Sequence, residues 1–317
     1  MTTFMLILGG LVLLGLGGEL LVRGAVGFAR ILRISPLLAG LTIVGFGTST
    51  PELTTSLFAA FEGSPGIAIG NVLGSNIANI LLILGFSALV MPLPVNPASF
   101  RRDSIALFGS AVLGAGAVML GHISALMGAV LVLVLIGYIY WAYRSERQAD
   151  DDEAHRHEAE TADAAPATAN ALALGAMVVA GLAAAIYGAR LLVDGAVVLA
   201  TDMGVSESVI GLTVVAVGTS LPELIACLVA VYRKHPDVAL GNIVGSNIYN
   251  ILGILGLTAI VHPLDVPADL ARVDVLVMLG VTALLLVQLR RGWSMSRAEG
   301  GLLLALYVGY TAMLMAR

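Results

Sequence analysis

Two carboxylates stand where an apolar chain can least accommodate them. Glu52 lies in GFGTSTPEL, Gly45 to Leu53, between the apolar runs LLAGLTIV and TTSLFAAF. Glu223 occupies the same place in AVGTSLPEL, Ala216 to Leu224. An acidic side chain at the centre of a membrane helix costs ~2.5–3.5 kcal/mol or more, which marks it as functional. A proline, Pro51 or Pro222, directly precedes each one. Proline has no N–H, so the carbonyl four residues back loses its helical partner. Unpaired backbone at membrane depth is tolerated only inside protein or beside a wet cavity. Thr48, Ser49 and Glu52 therefore gather hard oxygen atoms at a break, with Thr48 and Glu52 on one helix face.

The next apolar run carries Asn71, Ser75 and Asn79 at i, i+4 and i+8, a polar stripe on one face. Gly70 and Gly74 let a neighbouring backbone approach it closely. A second copy supplies Thr219, Ser220, Glu223, Asn242, Ser246 and Asn250. The combined set holds hydroxyls, amides and two carboxylates, with no imidazole and no thiolate. All 5 histidines fall in loops or at the ends of apolar runs. Oxygen-only coordination with two negative charges suits calcium, which takes about 6–8 oxygen ligands. Sodium can use the same oxygens, several ions replacing one. Within this set Asn71 and Asn242 read first as helix-packing residues. Asn76 and Asn247 lie off the stripe and read as interhelical hydrogen-bonders. The single Cys227 falls where the first copy has Ser56 and reads as a small packed core residue.

The elements that must position these groups follow from composition. The chain has 317 residues, 58% hydrophobic and only 12% charged, with a mean hydropathy of +0.97. This is the composition of an integral membrane protein. Ten runs are long enough to cross a bilayer: 3–22, 36–61, 67–92, 104–121, 124–143, 171–189, 207–232, 237–262, 273–289 and 299–316. The first has no basic n-region and reads as a retained helix. Residues 144–170, containing ERQADDDEAHRHEAETADAAPATAN, read as an acidic solvated linker.

Shifting the sequence by 171 residues aligns Gly40–Gly85 with Gly211–Gly256, identical at 26 of 46 positions. The same shift sets Glu19 and Arg23 against Arg190 and Asp194, an i,i+4 pair with exchanged signs that reads as stabilising helix ends. Five spans per half, an odd number, turn the second half upside down. The expected fold is all-α, ten transmembrane helices in two inverted five-helix repeats, 1–143 and 171–317. Charge agrees: Glu62-Gly63-Ser64 in one half corresponds to Arg233-Lys234-His235 in the other. With both termini outside, thirteen of the 16 Lys and Arg residues lie on the cytoplasmic side, as does the linker. Inverted repeats with broken helices are the design of secondary transporters.

GTSTPEL with GNVLGSNIAN, and GTSLPEL with GNIVGSNIYN, resemble the two alpha repeats of the calcium/cation antiporter superfamily, nearest its prokaryotic sodium/calcium exchanger branch. The resemblance implies a transporter of the inner (plasma) membrane exchanging Ca2+ for Na+, not an enzyme, with no resident cofactor. It implies ion ligands at Thr48, Ser49, Glu52, Ser75 and Asn79, and at Thr219, Ser220, Glu223, Ser246 and Asn250. Backbone carbonyls at Gly45 and Ala216 complete that implied set. One departure stands out: exchangers of this type often carry Asp at one of the positions held here by Asn79 and Asn250. Two Glu still balance one calcium ion, while a three-sodium load is less well neutralised. Calcium/proton exchange and a passive cation channel are the competing readings. The proton-coupled relatives usually show a GNAxE-type motif instead.

Overall fold

The computed structural model describes residues 2–160, 170–203, 216–267 and 273–315, and nearly all of them are helical. Helix α1 is Thr2–Leu32. The span expected over 36–61 is divided into α2, Pro36–Thr48, and α3, Thr50–Phe61. Then follow α4, Pro65–Val90, α5, Pro97–Met119, and α6, Ala125–Glu160. The second half contains α7, Ala171–Asp202, α8, Ala216–Thr219, α9, Leu221–Tyr232, and α10, Pro236–Val261. It closes with α11, Val275–Gly292, and α12, Arg297–Met315. The expected stretches 161–169 and 207–215, with the start of the aligned motif segment at Gly211, lie outside the described residues.

Among the described residues seven helices are long and apolar enough to cross a membrane, and α2 and α9 are shorter apolar helices. Of the three expected spans outside the seven, 299–316 forms α12, and the other two are the proline-marked spans, where the difference has a local cause. Each breaks just before its proline, at Ser49 and at Ser220, where the backbone leaves helical geometry (ψ 9° and 6°). Proline then takes an early position in the new helix, where its missing N–H costs nothing.

Helix α6 runs on past its apolar part, through Arg144 to Glu160, as a stretch rich in Glu, Arg and Ala favours. Two short strand pairs accompany the helices. Strand β1 (Leu93–Pro94) pairs antiparallel with β4 (Ser294–Met295), and β2 (His122–Ile123) with β3 (Leu264–Asp265). These pairs satisfy backbone groups of the short connections between helices.

At the centre α4 and α10 are buried along most of their length, through Ile69, Val72, Leu73 and Ile77 in one and Val238, Ile243 and Ile248 in the other. Helix α10 packs on α2 with no side chain between the backbones: a Cβ on Gly245 would lie 2.0 Å from the Leu41 carbonyl oxygen. Helices α1 and α7 meet along a seam of glycines. Gly10 opposes the Gly188 carbonyl, and Gly17 opposes that of Gly181, each too close for a side chain.

Beyond the apolar core, polar contacts join the helices, and Glu19 and Arg23 lie inside α1 and not at its end as expected, because the helix runs on to Leu32. Glu19 pairs with Arg23 and with Arg233. Glu146 accepts from the Ser35 amide (2.8 Å), the Ser35 hydroxyl (2.7 Å) and Arg102 (3.2 Å). The start of the expected linker is thus tied to the residue that caps α2.

Candidate cation site

Glu52 opens α3 and Glu223 opens α9, each in the first turn after the break. That position favours a carboxylate, because the first amides of a helix carry partial positive charge. Both side chains are buried, at 2% and 1% exposure, so no bulk water solvates them. One oxygen of each, Oε2, has no hydrogen-bond partner among the described residues. Leaving such an atom unpaired is costly unless a ligand completes it.

The surrounding oxygens come from both halves. The single Thr48 hydroxyl hydrogen is shared between the carbonyl of Val44 (3.0 Å) and, across the halves, Asn242 Oδ1 (3.3 Å). Ser49 Oγ donates to Glu223 Oε1 at 3.3 Å. Ser246 Oγ donates to the carbonyl of Gly45 at 3.2 Å. That approach needs glycine at 45, where a Cβ would lie 3.0 Å from the Asn242 carbonyl oxygen and the Ser246 nitrogen. Ser75 is buried on α4, Ser220 is buried at the break before α9, and Thr219 is half-buried on α8. Ala216 opens α8.

Asn79 and Asn250 are both buried, and each begins a π-helical turn, Asn79–Leu84 and Asn250–Leu255. Such wide turns disturb the regular hydrogen-bond ladder and cluster at functional sites. The turn at Asn250 packs against α3, which carries Glu52, and that at Asn79 packs against α9, which carries Glu223. Each amide is therefore delivered to the opposite half's carboxylate helix.

Asn71 and Asn242 do hold helices together. Asn71 Nδ2 donates to the Glu52 carbonyl (3.0 Å) and Ser56 Oγ (2.9 Å). Asn242 Nδ2 donates to the Glu223 carbonyl (3.3 Å) and Cys227 Sγ (3.1 Å). Cys227 is fully buried and sits in the slot that Ser56 fills in the first half.

The contacts that spacing did not reveal are those of Asn76 and Asn247. Asn79 Nδ2 donates to Asn247 Oδ1 (3.2 Å), and Asn250 Nδ2 donates to Asn76 Oδ1 (3.0 Å). Asn76 Nδ2 donates in turn to the Asn247 carbonyl at 3.3 Å. Four asparagines thereby bridge the halves beside the carboxylates. Their recurrence at the same offset was the available signal, but a sequence does not say which partner each one meets. Chemically the site offers carboxylate, hydroxyl and amide oxygens without imidazole, the donor set of a hard, weakly polarising cation.

Known proteins resemble the chain along nearly its whole length. A protein of Alkalimonas amylolytica with the provisional name antiporter CaxA is 41% identical, over 99% of this chain and 98% of its own. The sodium/calcium exchanger MaX1 of Methanosarcina acetivorans is 33% identical, over 98% of each chain. A solved structure of the sodium-calcium exchanger NCX_Mj, soaked with zero Na+ and Ca2+, superposes with a TM-score of 0.84 at 31% identity, covering 99% of each chain. The model of the family described as sodium/calcium exchanger protein matches residues 2–144 and 173–316. The chain is therefore a multi-pass membrane protein that belongs to the sodium/calcium exchanger family, whose members are cation exchangers.

Proposed function

We propose that the protein exchanges Ca2+ for Na+ by alternating access, binding the ions midway between two inverted five-helix halves, 1–143 and 171–317. The observation that carries this reading is the pair of buried carboxylates, Glu52 and Glu223, each with an oxygen left unpartnered among the described residues. Their two charges neutralise one calcium ion. Thr48, Ser49, Ser75 and Asn79, with Thr219, Ser220, Ser246 and Asn250, supply neutral oxygens that replace its water shell. The carbonyls of Gly45 and Ala216 complete the set. Sodium ions, as cargo in the other direction, use the same oxygens in subsets.

Several observations support the inversion. Strands β1 and β3 are counterparts under the 171-residue shift, yet they belong to different pairs, as expected if equivalent loops lie on opposite faces. The glycines of α1 and α7 are likewise exchanged: Gly10 meets Gly188, whereas its own counterpart Gly181 meets Gly17. The close backbone approach at these four glycines suits two helices that slide over the ion-binding core. The bias of positive charge supports an orientation with both termini outside and segment 144–170 in the cytoplasm, under the inner (plasma) membrane.

One observation favours a second coupling. With amides at Asn79 and Asn250, the site described above holds two carboxylates, and two protons balance one calcium ion. The deciding experiment is calcium uptake into proteoliposomes with sodium and pH gradients imposed separately. We expect the sodium gradient to drive uptake; uptake that follows only the pH gradient would falsify sodium coupling.

A further inference from the structure

We propose that Asn76 and Asn247 are positioning residues that set cation preference by fixing which end of the Asn79 and Asn250 amides faces the ions; this rests on the site proposed above. An amide is two-faced, since its oxygen attracts a cation and its NH2 group repels one. Asn250 is 1% exposed, and its NH2 group is taken by Asn76 Oδ1 at 3.0 Å. Its own Oδ1 is buried with no partner among the described residues, the end left for a ligand. Asn79 is 2% exposed, and its NH2 group is taken by Asn247 Oδ1 at 3.2 Å. In both amides the repelling end is held by a residue of the other half. Asn76 is itself held by its own donation to the Asn247 carbonyl at 3.3 Å, and its Nδ2 also lies 3.8 Å from Met278 Sδ. Asn76 is thus the anchored member of the set, while Asn247 Nδ2 is buried without a partner among the described residues, and both amide bonds cross the boundary between the halves.

The arrangement also explains why amides and not carboxylates suit positions 79 and 250 in this chain. A carboxylate has no hydrogen to offer, so Asn250→Asp would set oxygen against Asn76 Oδ1 unless Asn76 turned over. Turning over would cost Asn76 its bond to the Asn247 carbonyl. The orienting residues and the neutral charge at 79 and 250 thus belong together, and they favour a divalent ion balanced by two Glu.

The test is Asn76→Leu, which keeps the volume and removes the acceptor, measured as calcium uptake into proteoliposomes per reconstituted protein. Half-saturating calcium should rise about tenfold, the scale of one lost hydrogen bond, with maximal turnover little changed. A merely structural role would instead lower the yield of folded protein and leave half-saturation alone. In an Asn250→Ala background Asn76→Leu should add nothing, because the group it orients is gone. Unchanged half-saturation, or a full tenfold effect on top of Asn250→Ala, overturns the proposal. Should Asn76→Leu not reach the membrane, Asn76→Ala removes the acceptor with a smaller side chain and the same cycle is read. Glu52→Gln runs alongside: transport that survives it removes the site itself. Loss of transport with an additive Asn76 cycle removes only the positioning role.

Discussion

The two halves carry the same motif but support it differently. In the first, Asn71 is half-buried and ties the Glu52 carbonyl to the hydroxyl of Ser56. In the second, Asn242 is wholly buried, ties the Glu223 carbonyl to the thiol of Cys227, and also accepts from Thr48 of the first half. Glu223 accepts from Ser49, again a first-half group. Hydroxyls of one half thus serve the carboxylate and amide of the other. Sequence identity between repeats specifies the same atoms twice without making their surroundings equal. Both carboxylates are buried, but the support of the second is the more enclosed, and it is shared between the halves.

The comparison breaks most severely at the carboxylates. Glu52→Gln and Glu223→Gln should each reduce calcium transport at least about a hundredfold, since one remaining charge does not offset a divalent ion where the dielectric is low. Either mutant keeping half of wild-type flux at normal membrane levels would show that its half contributes no principal ligand.

Asn250→Asp should have the next largest effect. Like-charge repulsion beside two Glu opposes its ionisation, so the new group holds a proton in the empty site and loses it when cations are plentiful. Calcium flux should then depend more steeply on sodium concentration and on pH. Because Asn250 and Asn79 both touch the opposite half, Asn79→Asp should behave similarly. Flux curves that superimpose on wild type at two pH values would place these amides outside the electrostatic reach of the ions.

A milder exchange equalises the halves. Cys227→Ser puts a hydroxyl where the first half already has one, within reach of Asn242, and Ser56→Cys does the converse. Each should change half-saturating calcium less than about threefold, because both partners still accept from an amide. A tenfold change in one and none in the other would show that the thiol tunes the second site.

The least intrusive test concerns orientation. A cysteine in the Glu62–Ser64 turn, in a Cys227→Ser background, should react with an impermeant thiol reagent outside intact cells. One at Lys234 should be protected while transport stays near wild type. His235, in that second turn, is pushed below its ordinary pKa by burial and by Arg30 and Arg233. It is therefore neutral at pH 7, and His235→Asn should leave the pH dependence of transport above pH 7 unchanged. Labelling of both turns from one side would contradict the inversion.

The membrane character, the duplicated Thr-Ser-x-Pro-Glu break and the nature of the donors were all legible before any fold was known. Composition, a fixed 171-residue offset and the cost of intramembrane charge are local or periodic quantities, readable without coordinates. The helix-packing roles of Asn71 and Asn242 were legible too, because each lies one residue past a glycine that lets a neighbour approach. Who meets whom was settled by the packing of the halves. The shift aligns each residue with its counterpart, yet apart from Asn76 with Asn247 these contacts run between non-counterparts: Thr48 with Asn242, Ser49 with Glu223, Asn79 with Asn247 and Asn250 with Asn76. The wide turns at Asn79 and Asn250 and the continuation of α6 into the acidic segment also escaped the reading of the chain. Periodicity reports which face a residue occupies. It is silent on which end of an amide points inward, since that depends on a partner more than 160 residues away, fixed only when the halves pack.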